Sequence, residues 1–66
     1  MEIYVNGEVR RVDEGTTVRS LLRDLSLPET RVAVERNRAL VRKAEFSGTV
    51  LAEGDRIELV TFVGGG

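Results

Sequence analysis

Residues 53–66 read Glu53-Gly54-Asp55-Arg56-Ile57-Glu58-Leu59-Val60-Thr61-Phe62-Val63-Gly64-Gly65-Gly66. Glu53-Gly54-Asp55 has the composition of a tight turn, with glycine at the place where φ is positive. From Arg56 to Val63, the residues Ile57, Leu59 and Thr61 alternate with Glu58, Val60 and Phe62, the two-residue period of a strand with unlike faces. Three glycines then follow. Glycine has no side chain to bury and loses the most conformational entropy on ordering, so packing does not account for them.

The first residues carry a matching signal. Met1, Ile3 and Val5 alternate with Glu2 and Tyr4, again with period two. Asn6-Gly7 favours the left-handed dihedrals of a type I′ hairpin turn, and a second strand, Glu8 to Val12, returns from it. The register is open at this level. A two-residue loop sets Ile3 opposite Arg10, a longer loop sets it opposite Val12, and a bulge is a third arrangement. The first and last strands alternate most cleanly, so they are expected to be parallel neighbours at the sheet centre.

Between them, Asp13-Glu14-Gly15 breaks the second strand, and Thr16 or Thr17 caps a helix. Val18, Leu21, Leu22 and Leu25 form one apolar stripe, with Arg19, Arg23 and Asp24 facing away. Leu27-Pro28 is expected to end the helix, because a residue before proline avoids the helical region. Val32-Ala33-Val34 begins a third strand and Asn37-Arg38 marks a turn. Leu40-Val41 is a short apolar pair, Ala44-Glu45-Phe46 fits a single helical turn, and Val50 and Leu51 supply further apolar contacts. The order predicts an α+β domain: a mixed sheet with one main helix across one face. The expected division is a domain over residues 1–63 and a flexible glycine tail over residues 64–66.

Composition excludes several functions. A chain of 66 residues is one domain, and at that size only about 60% of the unfolded surface is buried. There is no cysteine and no histidine, which removes disulfides, thiolate metal sites, the commonest metal ligand and the commonest general base. Ser20, Ser26 and Ser47 have no histidine to activate them, so no catalytic residues of its own and no bound metal or cofactor are expected. A net charge of −1 argues against nucleic acid as a partner. Arg36, Arg38, Arg42 and Lys43 form a local basic run, read either as a solvated face or as a docking patch for an acidic partner. No apolar run approaches the ~20 residues that span a bilayer. The first residues lack the basic start and apolar stretch of a signal peptide, so no membrane association and a cytoplasmic location are expected.

The tail has a physical use. Three residues extend at most ~3.6 Å each, so they project the Gly66 carboxylate roughly 10 Å beyond the sheet. Without Cβ atoms, Gly64 and Gly65 can thread a narrow channel in another protein, and capture of a C-terminal carboxylate is an established recognition mode. A carboxylate is unreactive until activated, so the chemistry must come from that partner. Phe62 and Val63 lie beside the tail as candidate docking contacts. Phe62 is out of phase with Ile57 and Leu59, and the competing reading packs it on the opposite sheet face.

Asn6-Gly7 after an opening strand, Gly15-Thr16-Thr17-Val18 leading into Leu21-Leu22, and Glu53 to Val60 before Val63-Gly64-Gly65-Gly66 together resemble the ThiS family of bacterial sulfur carriers. The stretch Val34 to Phe46 also fits. Where the family often has valine-proline-arginine followed by tryptophan, this chain has Val41-Arg42-Lys43 followed by Phe46. The resemblance implies a ubiquitin-like β-grasp fold. It further implies that a ThiF-type adenylyltransferase, related to ubiquitin-activating enzymes, uses ATP and magnesium to adenylate the Gly66 carboxylate. A sulfur donor, usually fed by a cysteine desulfurase, displaces AMP, and thiazole synthase (ThiG type) takes sulfur from the resulting thiocarboxylate to build the thiazole ring of thiamine. The small subunit of molybdopterin synthase, a ubiquitin-like protein modifier and a β-grasp binding module without tail chemistry are the competing readings.

Overall fold

The computed structural model describes residues 1–62. Among these residues five strands are formed: β1 (Glu2–Val5), β2 (Glu8–Arg11), β3 (Val32–Arg36), β4 (Ala39–Val41) and β5 (Arg56–Thr61). One α-helix, α1 (Val18–Asp24), lies between β2 and β3, and single 3-10 turns occupy Glu29–Arg31 and Lys43–Glu45. The sheet order is β2-β1-β5-β3-β4. As the alternation predicts, β1 and β5 are parallel neighbours, with Tyr4 beside Arg56 and Val5 beside Ile57. The other pairs are antiparallel.

The β1–β2 hairpin takes the two-residue loop. Asn6 and Gly7 have φ of 50° and 85°, and Ile3 faces Arg10. Setting a buried isoleucine opposite an arginine is tolerated because β2 is an edge strand, exposed along its whole length. The strand ends at Arg11 rather than Val12, and Val12 packs against the core from beyond it.

Ile3, Val32, Val34, Val41 and Ile57 from the strands meet Val18, Leu21 and Leu22 of α1, and Phe46 and Leu51 close the layer. The register puts these strand residues on one face of the sheet. Val50 does not join them. It is 53% exposed and forms only an isolated bridge with Thr17, because the chain is extended there and Leu51 takes the inward position.

Both ends of α1 are closed by identifiable bonds. At the N-terminus, Thr17 is the cap: its Oγ1 accepts from Ser20 N at 3.1 Å, and Ser20 Oγ accepts from Thr17 N at 2.8 Å. The two remaining free amides, Val18 and Arg19, donate to Thr49 and Phe46 carbonyls at 3.0 and 2.9 Å. The segment carrying Phe46 thus fills the core and satisfies the helix N-terminus at once.

The C-terminus differs from expectation. The helix stops before Leu27-Pro28, in a Schellman arrangement with Ser26 at φ 59°, Leu27 N bonded to Leu22 O and Ser26 N to Arg23 O. Leu27 then packs against the core, the apolar contact usual for this cap. Pro28 instead leads into the 3-10 turn at Glu29–Arg31.

Candidate functional site

The central strand β5 leads the chain toward the glycines, and its two faces differ. Ile57 and Leu59 point at α1, whereas Arg56, Glu58 and Val60 lie on the face that no other layer covers. Phe62 N donates to Arg31 O at 2.8 Å, so the alternation continues one residue past the strand and sets Phe62 with Val60 on the open face. Val60 is 59% and Phe62 55% exposed. The reading that packs Phe62 against the far side of the sheet does not hold among the described residues, none of which covers it there. Ala33 sits opposite Val60 and Leu40 two strands away, so an apolar fringe borders the last described residues.

The charges on this face are uneven. Glu35 and Glu58 stand directly opposite one another across β3 and β5. At the other end, the Arg56 guanidinium lies 4.6 Å over the Tyr4 ring, with Val9 beside Tyr4 on β2. The sequence-level basic run loses a member. Arg36 is bonded to Asp55 at 2.8 Å and is only partly exposed, leaving Arg38, Arg42 and Lys43 on the surface.

The start of β5 is anchored by Asp55, a buried carboxylate. Its Oδ2 accepts from Arg36 Nε and from Ala52 N, each at 2.8 Å, and its Oδ1 accepts from Asn37 Nδ2 at 3.0 Å. Burial pushes the carboxyl up. The Ala52 amide, the Asn37 side chain and the Arg36 guanidinium outweigh that push and hold it below its ordinary value of 3.8. Farther along, Asn6 reaches from the first hairpin to the Leu59 backbone, its Oδ1 2.8 Å from N and its Nδ2 3.3 Å from O. The Asn-Gly pair marks a turn in the sequence, but neither contact of its side chain could be read there.

Val63, Gly64, Gly65 and Gly66, the candidate docking, threading and reaction residues, lie outside the described residues. Among the described residues no group of three or more His, Cys, Asp or Glu could hold a metal ion, and no helix is long and apolar enough to cross a membrane. An open depression of about 310 Å³ is lined in part by Arg10, Arg11, Asp13 and Asp24, on elements other than β5.

A mixed five-stranded sheet crossed on one face by a single helix, with parallel terminal strands at its middle, is a ubiquitin-like β-grasp domain. The sequence pattern of the ThiS family matches residues 3–66, and the chain belongs to that family. A crystal structure of the thiamine biosynthesis protein ThiS from Geobacter metallireducens superposes with a TM-score of 0.83 at 35% identity, covering 100% of both chains. The sulfur carrier protein ThiS of Bacillus subtilis is 35% identical over 65 residues, covering 97% of this chain and 98% of that protein. A thiazole synthase of Magnetococcus marinus is 46% identical over 66 residues, and there the chain spans only 20% of the relative's length.

Proposed function

We propose that this chain is a sulfur carrier for thiazole formation in thiamine biosynthesis, acting in the cytoplasm as a protein cosubstrate and not as a catalyst. The observation that carries this reading is the family match, which runs through the glycines to Gly66. A ThiF-type adenylyltransferase binds the open sheet face, with Phe62 and Val63 as contacts, and takes Gly64 and Gly65 into a narrow channel. There the Gly66 carboxylate attacks the α-phosphate of ATP, magnesium neutralising the phosphates, and pyrophosphate leaves. The terminal sulfur of a persulfide, formed with a cysteine desulfurase, then attacks the acyl-adenylate and expels AMP. A thiol cleaves the resulting acyl disulfide, leaving a thiocarboxylate on Gly66 and a disulfide on the donor.

The consumer of this sulfur is a thiazole synthase. The likeness to one-fifth of a protein bearing that name supports the pairing, since it places a domain of this kind and that enzyme in one polypeptide. Joining two partners replaces a bimolecular encounter with a high effective concentration.

Intact-mass measurement after incubation with the adenylyltransferase, ATP, magnesium and a sulfur donor tests the proposal. Exchange of one oxygen for sulfur at Gly66 is the expected result. Absence of both adenylate and sulfur, with an enzyme active on its own carrier, refutes it.

A further inference from the structure

Backbone polar groups along β5 alternate between its two neighbours. Those of Arg56 and Phe62 face the β3 side, where Asn37 N donates to Arg56 O and Phe62 N to Arg31 O, each at 2.8 Å. Those of Asp55 and Ile57 face β1, accepting from Tyr4 N and Asn6 N, each at 2.9 Å. By the same alternation Leu59 and Thr61 also face β1. There the neighbouring strand has ended, because β1 stops at Val5 and the chain turns at Asn6. Leu59 is therefore the first rung on that side without a strand opposite it.

The Asn6 amide fills this rung, accepting from Leu59 N and donating to Leu59 O. The turn itself does not require that side chain, since glycine adopts a φ of 50° at least as readily. The second hairpin repeats the device: Asn37 also opens a two-residue turn, and its Oδ1 accepts from Arg56 N at 2.9 Å. Asn37 fixes the start of β5, and Asn6 fixes the end that leads to the glycines.

We infer that Asn6 is a positioning residue for the C-terminal tail, an inference that rests on the carrier reading. Held to the β3 side through Val60 and Phe62 and to Asn6 through Leu59, the end of β5 gives the chain one direction from which to approach a partner's channel. Without the amide, β5 beyond Ile57 is held by β3 alone. The end of β5 at Leu59–Thr61 then takes a wider set of directions, of which fewer suit entry to the channel.

The test compares wild type, Asn6→Gly and Asn6→Asp in the full chain. Glycine keeps the turn and removes both bonds, whereas aspartate keeps an acceptor for Leu59 N and loses the donor. Exchange of the Leu59 amide is measured beside that of Val60, whose N–H faces β3, and steady-state adenylation is measured with a ThiF-type enzyme, ATP and magnesium. Asn6→Gly is expected to speed Leu59 exchange relative to Val60 and to lower kcat about tenfold. KM should stay within about twofold, because the docking face is unchanged. Asn6→Asp should recover much of kcat. Unchanged Leu59 exchange in Asn6→Gly, or faster exchange with wild-type kcat, overturns the inference while leaving the carrier reading intact. A wild-type chain that is never adenylated overturns both.

Discussion

Asp55 and Arg36 meet at 2.8 Å across the turn into β5, the carboxylate side chain 7% exposed and the guanidinium side chain 34%. Removing the acid leaves a cation, an amide and a backbone N–H without their acceptor, so Asp55→Ala should cost about 2–3 kcal/mol in urea unfolding. The pH dependence follows from the lowered carboxyl. The folded protein binds this proton less readily than the unfolded chain, so protonation favours unfolding. The Asp55 contribution is complete above the ordinary value of 3.8 and is lost as pH falls through the lower folded value. The gap in urea midpoint between wild type and Asp55→Ala should therefore be constant from neutral pH to about 4 and narrow below that.

Thr17 and Ser20 exchange side-chain and backbone bonds at the start of α1, a helix of only seven residues. Thr17→Ala should cost about 1 kcal/mol. In so small a domain that corresponds to a fall of about 4–8 °C in the thermal midpoint.

Ser26 and Arg38 hold φ of 59° and 72°, a region where a Cβ is unfavourable. Ser26→Gly and Arg38→Gly should each raise stability by about 0.5–1 kcal/mol in chemical denaturation. Unchanged or lower midpoints for both would show that their side chains contribute contacts that offset the strain.

Phe46 and Phe62 should respond in opposite ways. Phe46 is buried at the centre of the core, and Phe46→Ala should cost about 3–5 kcal/mol. Phe62 lies on the open face, and Phe62→Ser should change stability by less than about 0.5 kcal/mol. It should weaken binding to the activating enzyme at least about tenfold, measured by calorimetry.

At Gly65 the expected effect is on reaction alone. Gly65→Ala should slow adenylation, and Gly65→Trp should abolish it while leaving the unfolding transition unchanged. A normally adenylated Gly65→Trp would exclude a narrow channel.

The fold was legible because its main signals are periodic. Alternation in residues 1–5 and 56–62 marked the central strands, and the Val18, Leu21, Leu22 spacing marked the helix. The signals that failed were local. Leu27-Pro28 looked like the helix stop, yet Ser26 ends the helix by taking a left-handed conformation that a sequence assigns to glycine first. Val50 looked like core because it is apolar, but only the direction of an irregular segment decides whether it or Leu51 turns inward. The Ile3–Arg10 pairing stays one of three open registers in the sequence, because the edge position of β2, which makes it acceptable, comes from the sheet order.

Around the candidate site, the phase of Phe62 sets it off the core face, but its exposure rather than packing on the far side is read only from the structure, and the glycines are conspicuous by composition. The bonds made by Asn6, Asn37 and Asp55 were not legible. Apart from the local bond from Ala52 N to Asp55, each joins residues at least 18 positions apart, and no residue type announces such a partner.

The parallel pairing of β1 with β5 has a mechanical consequence. β1 begins at one end of the pair and β5 ends at the other, so a pull between Glu2 and Thr61 slides the strands along each other. The bonds from Tyr4 N to Asp55 O and from Asn6 N to Ile57 O are then strained together instead of opening one after another. A domain drawn by its tail while its other end is held would resist as a unit, and force spectroscopy along that axis should find it stiffer than when the β1–β2 hairpin is peeled from its turn.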